Sequence, residues 1–516
     1  METVESLRRE NQERAAVSLP SEVLSQIFCI ILQGSLGVPK GAFQHRYSLP
    51  KSVIGHFRTS RAVLCAVCFR WRKVMIGSAN LWNVLNFPAK VQKASRTVAI
   101  PHSSYEILDT ELSYAKESPL VLYVDSPFPV FDAKTRSEAV EKLRPLLSRS
   151  KGLFLDNYSV QHLQLMNLIC DDVASTPLPS LMTLYATAYS GQPDPGEEEV
   201  IDLSLAPKIR ELEIRAGYIL YEEPSDGTSG PVIQLQLPGV DEFALTRIHF
   251  DGALDPLAVF GLVSHSPHLE EMFWSHEHFH NIHSDVYTSP LPVMEKLKHM
   301  ELSGDIPIAL TGSLVAPNLV RLELTWLREP AQAIWADRAH PLSNYLRFPH
   351  LRALIVTTPW ESDREQAEMA HFIRAHPDLR VVRVPQYMSD ELATALIDVP
   401  SIRRVYAVAL QGRDAGNRKL ISAWLQRGAP TDGAKPRLHL FKDDDEGDNW
   451  LPLGKRPGQF KEHVVIGSWP FGGMEVDDWD TYLFSDDDRT FIGDDRKHYD
   501  DDDGEHDRES NQDNAE

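Results

Sequence analysis

Pro317-Asn318-Leu319-Val320-Arg321-Leu322-Glu323-Leu324 is the stretch whose reading decides the fold. Leu322 and Leu324 alternate with charged neighbours, as in a strand with one buried face. Leu319 stands three residues earlier, with a proline two residues before it. The unit Leu-x-x-Leu-x-Leu recurs on both sides. Upstream it reads Leu181, Leu184, Ala186; Ile209, Leu212, Ile214; Leu245, Ile248, Phe250; Leu269, Met272, Trp274; and Leu297, Met300, Leu302. Downstream it reads Leu351, Leu354, Val356; Leu379, Val382, Val384; and Ile402, Val405, Ala407. Pro179, Pro207, Pro267, Pro349, Pro377 and Pro400 repeat the place of Pro317.

First positions fall on average about 28 residues apart, so the series resembles leucine-rich repeats of an irregular kind. A weaker unit stands at Leu153 and Leu155. Helical pattern follows some units, at Leu257–Ser264, Arg364–Ala375 and Ser389–Ile397. An alternating strand puts its apolar residues on one side, and a helix covers that side. No unit is stable alone, and stacked units share one core. The plainer alternative is an ordinary α/β domain with leucine-rich strands; the repeated Pro-x-Leu speaks for the array. The usual asparagine after the strand is missing. Turn-rich inserts interrupt the series at Gly191–Glu199, Glu222–Gly239 and Trp326–Pro341.

Outward from the array, residues 88–150 read as linker helices and a first strand: a helix around Tyr105–Ala115, a buried strand Leu120–Val124, and a helix Ala133–Ser148. Residues 151–412 form the array and 413–473 a linker or cap. From Met474 to Glu516 there are eighteen Asp/Glu against four Lys/Arg, most of the net charge of −22. Such a run predicts a solvated, disordered tail.

Residues 1–16 are polar and read as a disordered N-terminus. Residues 17–87 read as a helical module. Pro20 suits a helix's first turn, and Glu22 complements its dipole. Val23, Leu24, Ile27, Phe28 and Ile31 recur at helical spacing. Val63, Leu64, Val67, Cys68, Trp71, Val74 and Met75 form a second stripe, ended by Gly77. Ser78 is placed to cap a short third helix with Leu81, Trp82 and Leu85. Residues 33–59 between the first two helices read as an inserted loop rich in glycine and proline.

The order Leu-Pro-x-Glu-Val-Leu-x-x-Ile-Phe, then Val-Cys-x-x-Trp-Arg-x-Val, then Leu-Trp-x-x-Leu resembles the F-box. The inserted loop departs from the compact family pattern and has a length seen in fungal F-box relatives. The resemblance implies docking on the Skp adaptor of a cullin–RING ubiquitin ligase. The adaptor-binding role would fall on Leu19, Pro20, Val23, Leu24, Ile27, Phe28, Leu64, Val67, Cys68, Trp71, Val74, Leu81 and Trp82. A module this small cannot bury so many large apolar groups in itself. Residues 17–87 carry eight Lys/Arg and one Glu, a local +7 inside an acidic chain. That charge suits an acidic partner, as the family's adaptor is. It also fits nucleic acid, but the basic residues flank an apolar stripe and form no base-stacking platform.

Four cysteines in 516 residues make no disulfide framework. Cys65 and Cys68 spell C-x-x-C with no second pair for zinc. His276, His278 and His280, near His265, His268 and His283, would share a strand face; a polar loop after Trp274 is the blander account. No nucleophile elbow, P-loop, His-Glu-x-x-His or dinucleotide fingerprint occurs. The expectation is a non-catalytic α/β protein without cofactor or metal. It joins a three-helix F-box to an irregular leucine-rich solenoid that binds a protein target. No run reaches transmembrane length and the first residues are too polar for a signal peptide, so the expected location is cytoplasm or nucleus. The alternative is a repeat scaffold whose helical module packs on its own array.

Overall fold

The computed structural model describes residues 19–35, 51–87, 92–94, 97–99, 102–125, 133–159, 178–190, 199–218, 233–236, 243–252, 256–276, 293–304, 314–325, 347–356, 363–384, 388–408, 419–420, 423, 437–442 and 464–468. Three helices come first: α1 Ser21–Ser35, α2 Lys51–Val67 and α3 Phe69–Gly77, then a 3-10 turn Ala79–Leu81. There follow β1 Val84–Phe87, the small hairpin β2 Gln92–Ala94 and β3 Thr97–Ala99, α4 His102–Ala115, β4 Leu120–Asp125, α5 Ala133–Arg149, β5 Ser150–Ser159 and β6 Thr183–Ser190. Next come β7 Glu199–Asp202, β8 Glu211–Tyr218, β9 Ile233–Gln236, β10 Arg247–Gly252, α6 Pro256–Ser264, β11 Glu271–His276, β12 His299–Gly304 and β13 Arg321–Thr325. The last are β14 Ala353–Val356, α7 Asp363–Ala375, β15 Val381–Arg383, α8 Asp390–Asp398, β16 Arg404–Val408, β17 Arg437–Lys442 and β18 Val464–Ser468.

Fourteen of these strands form one parallel sheet in chain order, with β2–β3 and β7–β9 paired apart from it. The chain is therefore mixed α/β. The second positions of the repeat units pair with one another across the sheet, which fixes a register the sequence leaves open. Leu184 pairs with Leu212, Leu212 with Ile248, and so on through Met272, Met300, Leu322, Leu354, Val382 and Val405. The column runs further than the sequence predicts in both directions. It begins at Leu85 and passes Leu122 and Leu153, and it continues to Leu438 and Val464. Leu85, expected in a third helix, is thus in the first strand, and two strands lie beyond 412 in the expected linker.

The recurring proline has a local cause. Leu319 N–H donates to the Ala316 carbonyl at 3.0 Å, closing a turn with Pro317 at its second position. The same turn closes around Pro179, Pro207, Pro267, Pro349, Pro377 and Pro400. Proline pre-sets the backbone angle that this turn position requires. These seven turns deliver their first-position Leu or Ile into the core, and the first positions of all nine units are 0–1% exposed.

Helices α4 to α8 cover the leucine side. Leu108, Leu143, Leu262, Phe372 and Leu396 join the strand columns in one continuous core. At the start of the sheet the opposite face is covered as well. Tyr123, Phe154 and Tyr185, one residue out of phase with the leucines, share a second core with Leu24, Phe28, Leu64, Met75 and Leu81 of the helical module. Tyr123 and Phe154 stack at 4.6 Å. The module therefore sits directly on the sheet.

Candidate functional site

Within the module, Leu24, Phe28 and Leu32 turn the inner side of α1 toward Phe57, Leu64, Val74, Met75 and Leu81. The four-residue spacing keeps them on one stripe. Val23, Ile30 and Ile31 lie outside that stripe and are exposed. The apolar arc of α1 is thus wider than its core contact uses.

The second helical stripe is not one helix. It breaks at Cys68, whose backbone is extended and whose Sγ accepts from Trp71 N–H at 3.4 Å, capping α3. The break turns the chain and leaves Val67 and Phe69 at a corner, Phe69 78% exposed. Helix α2 begins at Lys51, so the inserted stretch is shorter than the expected 33–59 loop. The third helix reduces to a 3-10 turn, and Ser78 makes no side-chain cap. Trp71 packs on Phe28 at 4.8 Å, Arg70 donates to the Leu19 carbonyl, and Trp82 Nε1 donates to the Met75 carbonyl at 2.7 Å.

An ion pair bolts the module to α4. Arg61 Nη2 lies 2.7 Å from Glu111 Oε1, and Arg58 Nη2 lies 2.9 Å from Glu111 Oε2. The Arg61 guanidinium also sits 4.7 Å from the Phe57 ring and 4.8 Å from Trp82. Burial lowers it to about 10, against the pull of Glu111, and it stays charged at neutral pH.

The thirteen residues assigned to adaptor binding divide by burial. Leu24, Phe28, Leu64, Val74 and Leu81 are buried in the module's own core, so here they act as packing and not as contact surface. Leu19, Ile27, Cys68, Trp71 and Trp82 are half-buried, and Pro20, Val23 and Val67 are exposed. That assignment leaves out Ile31 and Val63, which the sequence reading placed on the stripes, and Ile30, Phe69 and Ile76, which it missed; all five are exposed. Nine large apolar residues are exposed among the described residues, and seven of them lie between Val23 and Ile76. That concentration differs from the scattered single exposed residues common on protein surfaces. Arg72 and Lys73 are exposed on α3 beside it.

Elsewhere, no group of His, Cys, Asp or Glu among the described residues is arranged to hold a metal; His278, His280 and His283 fall outside them, as do the acidic stretch 474–516 and Trp326–Pro341. Glu199 closes the first insert as the start of β7, which pairs with β9 inside the second. No helix among the described residues is long and apolar enough to cross a membrane. On the non-leucine face of β8, Glu213 is fully buried, with its Oε1 2.5 Å from Arg215 Nε and 3.9 Å from His249 Nδ1. Burial pushes its carboxyl up to about 8, against the opposing charge of Arg215. No family model matches the chain, and no curated protein matches it.

Proposed function

We propose that the chain is a non-catalytic substrate receptor of a Skp–cullin–F-box ubiquitin ligase. In this reading the helical module is an F-box that docks the Skp adaptor, and through it the cullin core. The strand ladder is a divergent leucine-rich solenoid that holds a protein target, and ubiquitin transfer chemistry lies in other subunits. One observation carries it: exposed apolar side chains are concentrated on the module whose sequence order resembles the F-box. Buried apolar anchors dominate the energy of protein interfaces, and the basic surround suits an acidic partner.

A scaffold whose module recruits no ligase is the second reading. It is favoured by the shared core of the module with Tyr123, Phe154 and Tyr185. The two readings separate on a binding measurement with purified Skp adaptor. The intact chain should form a complex stable to gel filtration. Val67→Ser with Phe69→Ser should lose it while melting at the same temperature, and Leu19→Ala, Pro20→Ala, Trp71→Ala should lose it too. Absence of a complex with the folded intact chain would leave the scaffold reading.

A further inference from the structure

The sheet changes charge along its length. In β8 and β10–β13, each strand taken with the residue before it contains Asp or Glu; Glu211, Asp251, Glu271, Glu301 and Glu323 are among them. In β14–β17, counted the same way, no Asp or Glu occurs. Those strands and their leading residues hold Arg352, Arg380, Arg383, Arg403, Arg404 and Arg437 instead.

The leading residues form a column along the N-terminal rim of the strands. Arg380 N–H donates to the Arg352 carbonyl at 2.8 Å, and Arg403 N–H to the Arg380 carbonyl at 2.8 Å. Three arginines thus stand on consecutive rungs, about 4.8 Å apart. Elsewhere the column balances its charge. Glu270 and Lys298 hold consecutive rungs and pair at 2.7 Å, and Arg210 stands between Met182 and Thr246. Arg403, Arg383 and Arg404 have interactions of their own. Arg352 and Arg380 have no ion pair or side-chain hydrogen bond among the described residues, and Arg352 is exposed. Asp378, in the turn before β15, is exposed and pairs with neither among those residues. Like charges on neighbouring strands repel, and two adjacent open guanidiniums are suited to carboxylates.

Sheet order selects the occupant. β18 is the last strand, four spacings from β14 and ten from β6, where the helical module's cover ends. The chain beyond Ser468 therefore starts about 19 Å across the sheet from β14 and about 48 Å from β6. Eighteen residues lead from Ser468 to Asp486-Asp487-Asp488. At about 3.4 Å per residue they can span about 60 Å, enough to run back along β18 and across to Arg352. Residues 474–516 hold most of the chain's negative charge. The helical module is the other cationic surface, but its greater distance lowers the effective concentration there.

We infer that the rim at Arg352 and Arg380 is the docking site of the acidic stretch 474–516 of this same chain. The site is independent of the receptor and scaffold readings alike. A carboxylate-rich partner of the rim must displace the stretch, so the contact is autoinhibitory toward such a partner.

The test uses the full chain carrying Arg352→Lys and Arg380→Lys, which keep both charges and supply amines. A water-soluble carbodiimide joins an amine to a carboxylate in contact with it. Lys298 and Glu270, 2.7 Å apart, are the internal control; their joining shows that the ladder is folded and the reagent active. Mass spectrometry of the digest should find positions 352 and 380 joined to the stretch 474–516. The yield should be unchanged by tenfold dilution and about fivefold lower in concentrated salt, which screens the contact. With the control joined, absence of links from both positions to that stretch overturns the inference. Links from the stretch to Lys73 of the module in their place overturn it too, as do links that fade on dilution, which mark a second copy as the occupant.

Discussion

The strand ladder and the helical module use apolar residues in opposite ways. In the ladder, every first-position Leu or Ile of the nine repeats is at most 1% exposed. In the module, a core of Leu24, Phe28, Leu64, Met75 and Leu81 is complete, yet Ile30 and Phe69 remain 68% and 78% exposed. The ladder spends its apolar surface within the chain because each of its nine repeat strands has a neighbour on both sides and turns its leucine face into one continuous core. A short helical bundle has too little interior for the same density of large side chains. What it cannot enclose stays on the surface.

The largest effect is expected where the two regions are joined. Glu111→Ala leaves Arg61 charged and buried without its carboxylate, which costs about 3–5 kcal/mol. Hydrogen exchange should show α2 and α3 losing protection first, with the repeats β10–β16 unaffected. Uniform loss across the sheet would mean that module and ladder unfold as one unit, and the contrast between them would not extend to stability. Within the ladder, Leu322→Ala removes a fully buried side chain between Met300 and Leu354 and should cost about 2–5 kcal/mol. Denaturant unfolding measures it, and a cost below about 1 kcal/mol would mean that the core collapses around the deletion.

A smaller effect concerns the charged face. Burial raises Glu213 from 4.5 to about 8, so the folded chain keeps a proton that the unfolded chain releases. The unfolded state then binds fewer protons between those values, and stability falls as pH climbs from about 4.5 to 8, levelling above. Glu213→Gln mimics the protonated acid in shape and should remove that part of the slope. Melting temperatures of both proteins at pH 5 and pH 8 decide it. Equal pH dependence would show that Arg215 holds Glu213 ionised throughout.

Legibility in the sequence follows the same division. The ladder was readable because its constraint is periodic: Leu319, Leu322 and Leu324 each fill one place that recurs in every strand, and Pro317 fills one turn position. Its register was not: with the usual asparagine missing, only the pairing of the strands fixes it. The extra strands at β1, β17 and β18 were not, because three residues before Leu85, Leu438 and Val464 stand Trp82, Lys435 and Lys461, where the nine units have Leu or Ile. In the module, periodicity located apolar stripes but could not divide inner from outer residues. Leu24 and Val23 are adjacent and both apolar; one is 1% exposed and the other 38%. The break at Cys68 was hidden because an apolar pattern continues across it, and only the extended backbone there turns Phe69 outward. Glu213 was illegible as a buried acid, since an alternating strand predicts its polar positions to be wet.

The smallest stability effect tests the comparison most directly. Ile30→Ser and Phe69→Ser alter exposed side chains that contribute little to the fold, and each should change unfolding free energy by no more than about 0.5 kcal/mol. Leu24→Ala and Phe28→Ala remove buried ones and should each cost about 2–5 kcal/mol. If the surplus apolar surface exists for a partner, the two pairs must separate on two axes. The outer pair should abolish adaptor binding at constant melting temperature. The inner pair should lower the melting temperature, with binding recovered at temperatures where the module stays folded. Should Phe69→Ser destabilise the chain as much as Phe28→Ala does, its side chain would be serving the chain's own packing, and the contrast between a saturated ladder and an unsaturated module would fail at the residue that expresses it most.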